Sequence, residues 1–209
     1  VRIHVLVEGL AEEVLLKAWL PRFLPQHSFR LITHRGKGRL PGDPRQSPPP
    51  HREGLLDQLP AKLRAYGKSL DPATDRVLVL VDLDDDDCHD LKRRLLAVLG
   101  TCDPEPVVLF RIAIEETEAF YLGDAKAIRQ AFPRANLARI RREYVQDGIC
   151  GTWEFFQKVI GARTEDKPGW AERIAPHLGA DWRGRNANAS PSFQHFCIAL
   201  RRLAGESVE

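Results

Sequence analysis

Val77-Leu78-Val79-Leu80-Val81-Asp82-Leu83-Asp84-Asp85-Asp86-Asp87 is the stretch that decides the fold. An unbroken apolar run, rich in leucine and valine, stops in a block of carboxylates. It is short and follows Asp71-Pro72, which predicts a strand buried on both faces of a parallel sheet. In open α/β sheets, ligand chemistry collects just outside the carboxyl ends of the strands. Carboxylates crowded there repel one another unless a proton or a cation lies between them. The cation that suits them is hard, Mg²⁺ or alternatively Mn²⁺. Mg²⁺ takes oxygen ligands and is held by one or two carboxylates with water and phosphate.

Two further acidic blocks follow predicted strands. Glu8 ends the alternating run Ile3, Val5, Val7 and is followed by Gly9, Glu12 and Glu13. Glu115, Glu116 and Glu118 follow the apolar run at residues 107–114. Parallel strands deliver their carboxyl ends to one sheet edge, about 4.8 Å apart from strand to strand. The three blocks are therefore expected to converge. Gly9 allows a tight turn, and Glu12 falls in the first turn of the next helix, where a carboxylate also suits the helix dipole. Asp82 and Asp84 point the same way if the strand continues between them. Asp85, Asp86 and Asp87 suit a helix cap. Glu115 and Glu118 share a helical face, from which Glu116 diverges.

The remaining pattern predicts strands at residues 2–7, 29–33, 77–82 and 107–114. Helices are predicted at 11–24, 54–66, 91–99 and from 116 to 122. This β-α-β-loop-α-β-α-β-α order predicts an α/β fold, a mostly parallel sheet with helices on both faces. Residues 36–50 form a basic Gly/Pro-rich loop. After Gly123 only helices are predicted. Residues 1–124 thus read as an α/β core and 125–209 as a helical extension packed on it, together one compact domain.

No apolar run approaches the length of a membrane span, and no secretory leader is evident, so no membrane association is expected. The cysteines Cys88, Cys102, Cys150 and Cys197 are widely spaced without a CxxC pair, which fits a reducing cytoplasm and argues against zinc. The net charge of +2 hides a segregation: bases gather between Arg30 and Lys68 while acids concentrate in the three blocks. Basic surface around an acidic pocket suits a metal-dependent enzyme acting on a polyphosphate. The alternative for the arginines is a solvated helix face. Trp182, beside Arg183 and Arg185, could stack on a base if exposed. Gly36-Lys37-Gly38-Arg39 lacks Walker spacing and is not a P-loop.

Val5-Leu6-Val7-Glu8-Gly9 followed by Leu80-Val81-Asp82-Leu83-Asp84 resembles the Toprim superfamily of topoisomerases, primases and OLD-type nucleases. Glu8-Gly9-Leu10-Ala11-Glu12 looks like the OLD-type version of the first motif. More closely, the chain resembles small stand-alone bacterial Toprim-like proteins of unknown function, found beside ABC/SMC-type ATPases. That family carries a motif like Ile114-Glu115-Glu116-Thr117-Glu118-Ala119-Phe120-Tyr121-Leu122-Gly123-Asp124 and ends like Ser190-Pro191-Ser192-Phe193-Gln194-His195-Phe196.

The resemblance implies a Toprim (Rossmann-like) fold and a Mg²⁺-dependent nuclease, and extends to a defence effector working with such an ATPase. Glu8 would act as general acid or base, or as a ligand. Asp82 and Asp84 would hold the ion, supported by Glu12, Glu115 and Glu118. Asp82 would thus belong to the catalytic set, and Lys167 with Arg35, Lys37 and Arg39 would meet nucleic-acid phosphate. No topoisomerase gate or primase zinc module is present. Two alternatives differ in class: a catalytically inactive Toprim-like binding or regulatory module, and a haloacid-dehalogenase-type phosphatase. The second expects later Ser/Thr, Lys and acidic motifs that are not evident.

Overall fold

A computed structural model describes all residues except 47, 115, 149, 150, 180–183, 185, 186 and 209. The strands are β1 (Arg2–Val7), β2 (Ser28–Thr33), β3 (Asp75–Asp82) and β4 (Val108–Ala113). They form one four-stranded sheet in the order β2-β1-β3-β4, every pairing parallel. The mostly parallel α/β sheet expected from sequence is thus wholly parallel. Val77 to Val81 are fully buried, as a strand covered on both faces must be.

Helices α1 (Leu10–Phe23), α2 (Leu55–Ser69) and α3 (Cys88–Leu99) make the crossovers. Leu15, Leu16, Trp19 and Leu20 of α1 join one face of the sheet through Val5, Val7, Leu78 and Leu80. Leu55, Leu59 and Leu63 of α2, with Leu91 and Leu95 of α3, cover the other face through Leu6, Val77, Val79 and Val81. The alternation of β-strand side chains assigns each residue its layer. From β1 the chain winds outward to β2, and from β3 outward to β4. The winding reverses between β1 and β3, the place where open α/β sheets open a crevice for ligands.

The segment beyond β4 contains α4 (Glu118–Leu122), α5 (Ala125–Ala131), α6 (Leu137–Glu143), α7 (Thr152–Ile160), α8 (Lys167–Ile174) and α9 (Pro191–Ala204). These helices pack on the face that α1 covers, and a single apolar cluster runs from Ile3 to Ala204. Phe193 and Phe196 of α9 meet Trp19 at 5.3 and 5.9 Å and Phe120 at 5.1 and 5.7 Å between ring centroids. Trp19 Nε1 donates to the Gly179 carbonyl (3.2 Å) and Arg22 to that of Ala175 (2.7 Å). Ser190 caps α9 by accepting from Phe193 N–H at 3.1 Å, and Pro191 follows as the first residue of the helix. Among the described residues no helix is long and apolar enough to cross a membrane.

Because Phe193 bridges α1, α4 and α9, Phe193→Ala is expected to destabilise the whole chain by about 3–5 kcal/mol. Denaturant unfolding followed by far-UV circular dichroism and by tryptophan fluorescence should shift together. A shift in one probe alone would mean that sheet and helical extension unfold independently.

Candidate metal centre

The end of β1 and the end of β3 are joined by a side chain. Glu8 Oε1 accepts the backbone N–H of Asp82 at 2.8 Å, across the reversal of winding between these strands. Gly9, the N-cap of α1, is extended (φ −151°), a conformation open to any residue. Its role is room: a Cβ there would lie 3.2 Å from Glu12 Oε2. Glu12 is thereby folded back over the strand end, where its Oε1 accepts from Thr117 Oγ1 at 3.2 Å. Glu118 is fully buried at the first position of α4.

Burial and like charge govern these groups together. Asp82 is raised well above the usual carboxylate range, first by burial and then by Glu8, Glu12, Glu118 and Glu116. Burial also lifts Glu8 to about 8, against the Asp82 N–H that favours its anion; Asp84 and Glu12 add to the rise. Glu118 is lifted to about 7 by burial, opposed by Lys167 and reinforced by Glu116 and Glu12. Tyr121 is raised by burial and then by Glu118, Glu12 and Asp82. Asp82 Oδ1, Glu118 Oε1 and Tyr121 OH are enclosed without a hydrogen-bond partner. Buried polar atoms almost always find partners, so three orphans around one acidic pocket mark a place for an ion, a proton or water.

Lys167 opens α8 and reaches this pocket. Its Nζ donates to Glu116 Oε1 at 2.9 Å and lies 5.3 Å from the Trp153 ring centroid. Glu116 Oε2 accepts from Trp153 N–H at 3.1 Å, fixing the carboxylate that fixes the lysine. Burial alone would lower the Lys167 pKa, but Glu118, Glu116 and Asp82 outweigh it and hold it up.

The second half of the aspartate block lies elsewhere. β3 ends at Asp82, and Asp84 turns into the left-handed region (φ 48°), so the two side chains do not share an extended face. Lys37 Nζ instead binds Asp84 Oδ2 (3.1 Å), Asp86 Oδ2 (2.8 Å) and the Leu83 carbonyl (2.8 Å). Asp87 caps α3 through Asp90 N–H. α4 begins at Glu118, and Glu116 and Thr117 precede it. Glu115 lies outside the described residues, as do Cys150, Trp182, Arg183 and Arg185.

Of the basic loop, Lys37 is committed to Asp84 and Asp86, and Arg35 is exposed and paired with Glu53 at 2.7 Å. Arg39 lines a cleft of about 440 Å³ with Lys37, Asp84, Asp85, Asp86 and Arg94. Sequence reasoning passed over Tyr121, Thr117 and Arg94. Thr117 and Tyr121 lie within the motif at residues 114–124, where the acids drew the reading.

The donor set is all oxygen, which fits a hard divalent ion. Among the described residues, however, no group of three His, Cys, Asp or Glu side chains is set to hold a metal ion. Glu8 and Glu12 each spend an oxygen on a protein donor, while Asp82 and Glu118 keep one that has none.

Compared with known families, residues 7–201 match the Domain of unknown function (DUF4276). The chain belongs to that family. No curated protein matches this DUF4276 chain. Among solved structures it is similar to the C-terminal region of the Xanthomonas campestris pv. campestris OLD protein, with a TM-score of 0.38 and 14% identity over 96% of this chain and 97% of that one. A likeness of that degree leaves the chemistry to be read from the side chains.

Glu8 and Glu118 have folded pKa values raised above their unfolded values. Their protonated forms therefore contribute stability that is complete below the ordinary carboxylate pKa. It is lost as pH rises through about 7 to 8. Metal-free protein is expected to lose unfolding free energy between about pH 5 and pH 8.5 in urea titrations. Glu8→Gln and Glu118→Gln should each flatten that fall. Stability that rises over this window would contradict the crowded-carboxylate description.

Proposed function

We propose that this chain is a Toprim-type, Mg²⁺- or Mn²⁺-dependent phosphodiesterase acting on nucleic acid. One observation carries the reading: Glu8, Glu12, Asp82 and Glu118 gather where the sheet winding reverses, with Asp82 Oδ1 and Glu118 Oε1 enclosed and unpartnered. The order agrees with a Toprim site, a Glu-Gly turn after β1 and an acid after β3.

Asp82 and Glu118 would hold the ion, with Glu8 and Glu12 beside them; Glu115 remains a candidate from sequence. When bound, the ion polarises a phosphoryl oxygen and lowers the pKa of bound water. Glu8, lifted to about 8, is poised near neutral pH to take or give a proton during phosphodiester cleavage. Lys167, held by Glu116, brings a fixed cation to offset charge developing on phosphate. The cleft lined by Lys37, Arg39 and Arg94 borders the site and suits the approach of a polyanion, with Arg35 on the loop outside it. The Toprim resemblance extends the proposal to a defence effector working with an ABC/SMC-type ATPase.

A second reading has its own support. Glu8, Glu12 and Asp84 are all engaged by protein donors, and no three described side chains are set to hold an ion. That arrangement suits a Toprim-like module that binds nucleic acid or a partner without cutting.

Cleavage of plasmid, single-stranded DNA and tRNA should require Mg²⁺ or Mn²⁺ and vanish with a chelator. Glu8→Gln and Asp82→Asn should each lower the rate by about 10²–10³-fold or more, and Lys167→Ala by about 10²-fold. Cleavage surviving Glu8→Gln and Asp82→Asn would remove the site from the chemistry. No cleavage of any substrate, with or without a neighbouring ATPase, would favour the binding module.

A further inference from the structure

β4 is an edge strand, and between α3 and α9 beside it runs a groove of about 290 Å³. Arg111 and His195 line it on the α9 side, and Lys92 lines the α3 side together with an apolar floor of Phe110, Ile112 and Ile114. Arg111 is half-buried, its Nε is enclosed without a hydrogen-bond partner, and no described carboxylate pairs with it. Lys92 is exposed and unpaired, whereas its neighbours Arg93 and Arg94 both turn to Asp90.

The groove's own carboxylate is already engaged. Asp147 Oδ1 accepts from the Ser190 and Ser192 hydroxyls at 2.7 and 3.0 Å, and Oδ2 accepts from Ser192 N–H at 2.6 Å. Asp147 is thus tied to the first turn of α9, and among the described residues it makes no ion pair with Arg111. Keeping an unpaired charge from water is costly, and a fork of N–H donors matches the oxygens of a phosphate. The apolar floor beneath suits the face of a sugar or base. Arg111 is in register with Leu80, and Ala113 with Asp82. Arg111 thus stands about 7 Å along the strand from the acidic edge.

We propose that this groove holds a phosphate of a nucleic-acid strand as that strand runs past the acidic edge. The assignment rests on the nuclease reading above and adds a second contact, at the β4 edge of the sheet. Arg111 grips the phosphate, Lys92 and His195 flank it, and the floor carries the adjoining nucleoside.

The test is fluorescence anisotropy of a labelled single-stranded DNA oligonucleotide in a chelator, from roughly 50 to 200 mM salt. Wild-type chain, Arg111→Gln, Lys92→Gln and the double variant are compared, with inorganic phosphate as competitor and cleavage of the same oligonucleotide measured separately with Mg²⁺. Each single substitution should weaken binding about 5–10-fold, and the double should flatten the slope of log K against log salt by about 1.4, or 0.7 per lost phosphate contact. Lys92 is exposed, so its variant keeps the test valid if Arg111→Gln misfolds. Unchanged affinity and slope in both variants, with cleavage intact, overturns the groove and leaves the nuclease reading standing. Oligonucleotide binding by no variant, with phosphate binding lost on substitution, overturns the nucleic-acid strand in favour of a small phosphate ligand. Neither binding nor cleavage by wild type overturns both.

Discussion

Confinement of like charge at the C-terminal edge of the sheet is the constraint around which the rest of the structure is arranged. Asp82 senses Glu8, Glu12, Glu116 and Glu118 at once, and burial pushes in the same direction as their repulsion. Such crowding costs stability wherever the carboxylates are ionised. It persists because the surrounding fold over-determines it. Glu8 is held by the Asp82 N–H, Glu12 by Thr117, and Glu116 by Lys167 and Trp153. Nearly every local device near the edge serves to hold a carboxylate still.

Much of the fold was legible because one physical signal dominated. The apolar run at Val77 to Val81 could only be a strand covered on both faces, and the spacing of strand and helix patterns then forced parallel crossovers. The edge at which the acids would gather followed from parallel topology. The side-chain directions did not. Asp82 and Asp84 would point the same way along an extended chain, but the chain turns left-handed at Asp84, and a lysine distant in sequence holds it. Gly9 was read as a turn glycine, yet its backbone is ordinary and its missing Cβ makes room for Glu12. Both errors have one cause: contact partners far apart along the chain leave no local pattern.

The motif around Glu118 divides into two parts with different physics. Glu116, Thr117 and Glu118 face the charged pocket. Phe120 enters the aromatic cluster with Phe193 and Phe196, and the Gly123 carbonyl accepts from Ala189 N–H at 2.8 Å. A Cβ on Gly123 would collide with Asn188, whose Nδ2 donates to the Phe120 carbonyl at 2.7 Å. Asp124 then caps α5 and accepts from Gly179 N–H at 2.9 Å. So a single short segment delivers an acid to the site and fastens the helical extension beside it.

That fastening explains why the extension is present at all. Lys37 of the α/β core acts on Glu8 but is committed to Asp84 and Asp86. Lys167 comes from α8, the helix that packs most closely on α1 and so on the element carrying Glu12. Its ammonium stays charged because three carboxylates outweigh its burial. An extension that packed loosely would let this lysine swing away, and Glu118 would lose a positive charge that lowers its pKa and favours its anion. The aromatic cluster at Trp19, Phe120, Phe193 and Phe196 is therefore linked to the electrostatics of the site: packing on one face of the sheet sets where a charge stands at its edge.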